Sequence, residues 1–127
     1  MEFEHAGIAT ADADGLADLY ADLLGCERVH DERFDGMEIV FLDMGNGYLE
    51  LLEPLEDGPI AEYLEGNGPG IHHVALRTDD LEGALDRARE HDVRLIDEEP
   101  RPGAWGHEVA FLHPEDTGGI LIEYVQH

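Results

Sequence analysis

Lysine is absent from this chain. All seven basic residues are arginines, set against 31 Asp and Glu, for a formal net charge of −24 over 127 residues. A field this negative repels nucleic acid and anionic membranes, so neither is expected as a partner. It also repels itself, a cost that molar salt removes by shrinking the screening length to ~3 Å. The acidity therefore reads as adaptation to a salty cytoplasm of the halophilic archaeal kind, and describes the solvent rather than the reaction. Cysteine is nearly missing too. Cys26 stands alone, which rules out an internal disulfide and suits a reducing interior. It follows the helix-ending Gly25 and is expected to be a small core residue. No apolar run approaches the ~18 residues of a membrane span. The opening "MEFEHAGIATADAD" has neither the basic nor the apolar segment of a signal peptide, so a cytoplasmic protein is expected.

What is present is an internal repeat inside one expected domain, 1–127. A shift of 68 positions superposes His5 on His73, Thr10 on Thr78, Asp12 on Asp80, Gly15 on Gly83 and Asp18 on Asp86. A shift of 70 lays "MEIVFL" (Met37–Leu42) on "HEVAFL" (His107–Leu112), and one of 73 brings Glu50 against Glu123. The offset grows by short loop insertions while the order of matched elements stays constant. Each half reads as β-α-β-β-β: module one over 1–54, a connector over 55–70, and module two over 71–127.

In the first module a strand at His5–Ala9 precedes a helix with an N-cap at Asp14. Its apolar stripe runs through Leu16, Leu19, Tyr20, Leu23 and Leu24 to a stop at Gly25. A strand at Glu27–His30 follows, then a hairpin turning at Asn46–Gly47. In the second module the strand His73–Thr78 precedes a helix with Leu81, Ala84, Leu85 and Ala88 on one side. A strand at Arg94–Ile96 and a hairpin through Pro114–Gly119 complete it. The connector holds a short helix at Ile60–Leu64. Each unit has one helix to cover one face of its strands, so the opposite faces are expected to curve around a shared cleft.

Strand alternation sorts the candidates. His5, Gly7 and Ala9 share one face of the first strand; His73, Ala75 and Arg77 share one face of its repeat. The aliphatics Ile8, Val74 and Leu76 point the other way, toward the helices, and His72 goes with them. Glu50 and Glu123 each sit in an apolar terminal strand, where an uncompensated carboxylate is costly. A divalent cation held by His5, Glu50, His73 and Glu123 would compensate both carboxylates at once. An all N/O set suits Co²⁺, Ni²⁺, Mn²⁺, Fe²⁺ or Zn²⁺.

With "HAGIATAD", "GNGYLELLEPL", "GPIAEYLE", "GIHHVALRTDD", "VRLIDEEPRPGAWG" and "FLHPEDTGGILIEYVQ", the chain resembles the vicinal oxygen chelate (glyoxalase-like) superfamily along nearly its whole length. Within it the likeness is greatest to the methylmalonyl-CoA epimerases. The resemblance implies an α+β fold of two tandem βαβββ modules, forming a curved mixed sheet around a central metal cleft. It implies a homodimer, an acyl-CoA substrate, and one divalent metal ion with Co²⁺ favoured. The implied reaction is epimerisation at C2 of methylmalonyl-CoA, by proton abstraction and return through a metal-stabilised enolate.

His5, His73, Glu123 and Glu50 match the family's metal ligands, and Glu38 matches a glutamate proposed in some members as an acid/base group. Glu38 and Glu123 are the expected catalytic pair. Glu108, which the repeat aligns with Glu38, is the rival. Arg77 and Arg101 are candidates for binding the anionic substrate. His30, His91, His107, His113 and His127 fit no pattern and are expected to be structural. A glyoxalase I-like lyase acting on a hemithioacetal shares this ligand set. A non-catalytic small-molecule-binding protein of the same fold would not need it.

Overall fold

The computed structural model describes all residues from Met1 to His127. Contacts divide the chain into two units, His5–His72 and Met1–Glu4 with His73–His127.

β1 (Glu2–Ala9) enters the first unit at His5 and there runs parallel to β4 (Tyr48–Pro54). β2 (Glu27–Phe34) and β3 (Met37–Asp43) continue the sheet antiparallel, in the order β2-β3-β4-β1. Helix α1 (Ala13–Leu24) starts where the Asp12 side chain accepts the Gly15 N–H, and ends where Gly25 takes the left-handed conformation at φ 70°. The N-cap is thus Asp12, not Asp14. Asp14 lies in the first turn and accepts a 2.5 Å hydrogen bond from Arg28.

The helix buries a narrower stripe than its leucines suggest. Ala13 and Ala17, with Leu16 and Tyr20, pack on Val40, Leu42 and Leu51, and Cys26 joins this core. Each fully buried Leu or Val there contributes roughly 1.5–3 kcal/mol. Leu19 and Leu23, on the flank of that stripe, are more than half exposed.

Strands β2 and β3 are joined by Asp35–Gly36, with φ of 52° and 75°, the pairing that a two-residue hairpin turn demands. β3 and β4 join through 44–47, where the Met44 N–H donates to the Gly47 carbonyl. Helix α2 (Pro59–Asn67) extends beyond the expected Ile60–Leu64, with its proline in the first turn.

The second unit repeats the plan. β5 (Gly70–Arg77) enters it at His73 and runs parallel to β8 (Ile122–Gln126). Antiparallel β7 (Glu108–Phe111) and β6 (Arg101–Pro102) follow, giving the order β5-β8-β7-β6. Helix α3 (Leu81–Glu90) is capped by Asp80 on the Gly83 N–H, as Asp12 caps α1. The modules also share a tie between the last strand and the helix start. The Ala13 N–H donates to Glu53 and the Leu81 N–H to Gln126, both at 2.8 Å.

The expected strand at Arg94–Ile96 does not form; only a single bridge joins Leu95 to Leu112. The Arg94 backbone N–H and Nε both donate to Asp116 Oδ2, at 2.9 and 2.8 Å, which holds the segment to the turn instead. The edge strand of this module is the proline-bearing β6, a position where a missing N–H is tolerated.

Candidate metal centre

Parallel pairing sets Gly7 beside Glu50 in the first unit, and antiparallel pairing sets Phe41 on the other side of Glu50. Paired residues share a face, so His5, Gly7, Phe41 and Glu50 lie on one side of the sheet. Ile8, Val40, Leu42 and Leu51 lie on the α1 side. The Nε2 of His5 stands 3.2 Å from Oε1 of Glu50, with both side chains almost fully buried. The Phe41 ring meets His5 edge-on at 5.7 Å, an arrangement that fixes the imidazole plane without using its nitrogens.

The second unit builds the same constellation. Ala75 pairs with Glu123 and Phe111 lies across from it. His73 Nε2 is 3.2 Å from Glu123 Oε1, both again buried, and the Phe111 ring meets His73 edge-on at 5.7 Å. Small residues, Gly7 and Ala75, stand beside each carboxylate.

This spacing fits a metal ion. Two donors each about 2.1 Å from a common ion, at tetrahedral or octahedral angles, are themselves about 3.0–3.4 Å apart. Imidazole nitrogen and carboxylate oxygen suit borderline divalent ions. The burial of two carboxylates also leaves negative charge that a cation offsets.

His72 is half-buried, and its ring meets Tyr63 of α2 edge-on at 5.1 Å. The two neighbouring histidines therefore do different work. Arg77, on the His73 face, is exposed at the end of β5. Arg101 is held by Asp97 at 2.9 Å, with its guanidinium 5.4 Å from the centre of the Phe111 ring. It stands one aromatic ring away from His73.

Glu38, expected to act with Glu123, does not share the face of Glu50. Glu38 alternates with Ile39 and lies on the face of Val40 and Leu42. There its Oε2 accepts a 3.1 Å bond from Arg33. Ile39 occupies the Glu50 face in its place. Glu108 is set likewise: it shares the side of Ala110 and Leu112, which pack against α3, and is exposed.

The aromatic members, Phe41 and Phe111, went unnoticed in the sequence although they coincide in the shift of 70. His30 was expected to be structural. It pairs with Phe41 and so lies on the Glu50 face, where its Nε2 is 3.2 Å from Glu32 Oε1. No sequence signal places it there, because a bulge between Arg28 and His30 interrupts the alternation. The remaining histidines make contacts of their own. His91 meets the Arg87 carbonyl and His113 accepts from the Glu115 N–H. His107 stacks on His127, whose Nε2 bonds Glu4.

Residues 4–111 match the model of the Glyoxalase/Bleomycin resistance protein/Dioxygenase superfamily. An ethylmalonyl-CoA/methylmalonyl-CoA epimerase from Cereibacter sphaeroides is 40% identical, the match covering 96% of this chain and 95% of that protein. The solved methylmalonyl-CoA epimerase of Mycobacterium tuberculosis superposes with a TM-score of 0.93 at 38% identity, over 98% of this chain and 87% of that one. A methylmalonyl-CoA epimerase in complex with methylmalonyl-CoA and NH4+ gives 0.92 at 36% identity, over 98% and 93%.

Proposed function

Since the chain belongs to the Glyoxalase/Bleomycin resistance protein/Dioxygenase superfamily and has its fold, we propose that it is a metal-dependent epimerase acting at C2 of methylmalonyl-CoA. The observation that carries the reading is the duplicated His–Glu–Phe constellation, together with near full-length likeness to proteins named for that reaction. In this reading His5, Glu50, His73 and Glu123 hold one divalent ion, with cobalt favoured by the likeness. When bound, the ion supplies Lewis-acid polarisation of the substrate's oxygens.

The chain's own residues do the rest. Glu123 takes the weakly acidic C2 proton, and a second group delivers a proton to the opposite face. Phe41 and Phe111 hold the imidazoles and exclude water on the apolar side of each pair. Arg101, stacked on Phe111, and Arg77 meet the anionic groups of the acyl-CoA. The working state is a homodimer in the cytoplasm of a halophile, where salt screens the charge of −24.

The test is solvent deuterium exchange at C2 of methylmalonyl-CoA, with added divalent metal in molar salt. Exchange with epimerisation supports the reading. No exchange, alongside turnover of a hemithioacetal, replaces it with a lyase.

A further inference from the structure

Arg77 and Arg101 both lie on the face of the second unit that carries His73 and Glu123. Arg101 of β6 pairs with Val109 of β7, Val109 with Val125 of β8, and Val125 with Arg77 of β5. Two residues along, Phe111, Glu123 and Ala75 pair in the same way. Paired and alternate residues share a face, so the two rows are neighbours on one side of the sheet. The two valines between the arginines are buried. Arg77 is exposed at the end of its strand, whereas Arg101 is held in place.

The holding group is Asp97. Its Oδ2 accepts the Phe111 N–H at 2.8 Å, and its own N–H meets the Phe111 carbonyl at 3.3 Å. Its Oδ1 accepts from Arg101 Nε at 2.9 Å. A single carboxylate, with only 16% of its side chain exposed, thus ties the guanidinium to the backbone of Phe111. The guanidinium is carried over the Phe111 ring, 5.4 Å from its centre, and that ring meets His73 edge-on. Arg28, Arg89 and Arg94 each spend a terminal nitrogen on a carboxylate. Arg101 does not. Held through Nε alone, its Nη1 and Nη2 make no hydrogen bond within the protein, and its side chain is 44% exposed. The free edge carries two parallel N–H groups, spaced to match the two oxygens of a carboxylate.

From this geometry we propose that Arg101 binds the free carboxylate of the substrate's acyl group, with Asp97 as its positioning residue; the assignment rests on the epimerase reading for its substrate. Together the two select a malonyl-type acyl group over one without a carboxylate. Position decides between the substrate's anions. The acyl carboxylate is bonded to C2, the reacting carbon, whereas the phosphates of CoA lie at the far end of the pantetheine arm. Arg101 stands one ring from His73, and so belongs to the reacting end. Asp97 contributes by direction: it fixes Nε and the guanidinium plane, so that the open edge meets the carboxylate without first losing side-chain freedom. Such contacts act on the bound substrate and on its transition state alike, and therefore appear in KM rather than in kcat.

Calorimetric titration with methylmalonyl-CoA, and with propionyl-CoA, which lacks the carboxylate, tests this in metal-supplemented molar-salt buffer. Arg101→Gln is expected to weaken methylmalonyl-CoA at least about tenfold, as for loss of a charge-assisted pair. Its affinity for propionyl-CoA and for added Co²⁺ should stay within threefold, which shows an intact fold and site. The same loss is expected with methylmalonyl-pantetheine, which has no phosphate. Arg101→Lys keeps the charge without the fork and should restore only part. Asp97→Asn keeps an oxygen for the Phe111 N–H; it is expected to raise KM for C2 exchange more than threefold with kcat within threefold, and Asp97→Glu to restore part. A smaller loss in Arg101→Gln, or equal weakening of methylmalonyl-CoA and propionyl-CoA, overturns the proposal. So does a loss absent with the pantetheine thioester, which would assign Arg101 to a phosphate. A KM within threefold in Asp97→Asn overturns the positioning role. Wild type without C2 exchange sinks the epimerase reading instead, and the affinities, which need no turnover, still decide the anion. If Arg101→Gln does not fold, Arg101→Met is read by the same criteria.

Discussion

His5 Nε2 lies 3.2 Å from Glu50 Oε1, and both side chains are nearly sealed from water. A carboxylate sealed from water beside an imidazole is costly to bury without a compensating charge. In the proposed reading a cation would supply it. The same relation between His73 and Glu123 doubles the demand.

Replacing either histidine of these pairs therefore costs metal affinity. Groups that merely support ligands are worth 10–100-fold in affinity, so loss of a ligand should exceed about 100-fold. His73→Ala and His5→Ala are expected to fall in that range by calorimetric titration with Co²⁺, whereas His72→Ala, whose ring meets Tyr63, stays within threefold. In wild type, metal at 100 times its dissociation constant should add about 2.7 kcal/mol to stability, and a chelator should remove it. A thermal midpoint indifferent to both would leave the pairs as hydrogen-bonded core groups.

Glu38→Gln distinguishes strand register from family likeness. With Glu38 tied to Arg33 on the α1 side, turnover should remain within about threefold of wild type, and stability should change by no more than about 0.5 kcal/mol, as for an exposed ion pair. A loss of 100-fold or more would return Glu38 to the reaction.

Arg94 holds the Asp116 carboxyl down to about 2, from an ordinary 3.8, first through side-chain hydrogen bonds and then through its backbone N–H. A lowered carboxylate stabilises the fold above its ordinary value, and this contribution is lost as pH falls through the lowered one. The Asp116 signal in an acid NMR titration should move near pH 2, and in Arg94→Ala back toward 3.8. An unchanged midpoint would mean that Arg94 does not hold the turn.

Raising KCl from 0.1 to 1 M shortens the screening length from ~10 to ~3 Å. For a net charge of −24, the thermal midpoint should rise by at least about 5 °C, roughly 1 kcal/mol for a domain of this size. A flat or falling midpoint would detach the acidic surface from adaptation to salt.

The sequence by itself determined the duplication and the faces of β1 and β5. Period-2 alternation and the offsets of 68, 70 and 73 fix His5, His73, Glu50 and Glu123 as equivalent pairs, and separate His73 from His72. Those are local regularities, and strands preserve them. The tertiary structure decided what depends on neighbours. Asp116 drew Arg94 out of the expected strand, and close packing of Ala13 and Ala17 left Leu19 and Leu23 in solvent. The bulge in β2 was equally invisible, because one extra residue against its partner strand reverses every face beyond it. That reversal turned His30 and Glu32 to the Glu50 face, while the unbroken register of β3 against β4 kept Glu38 away from it.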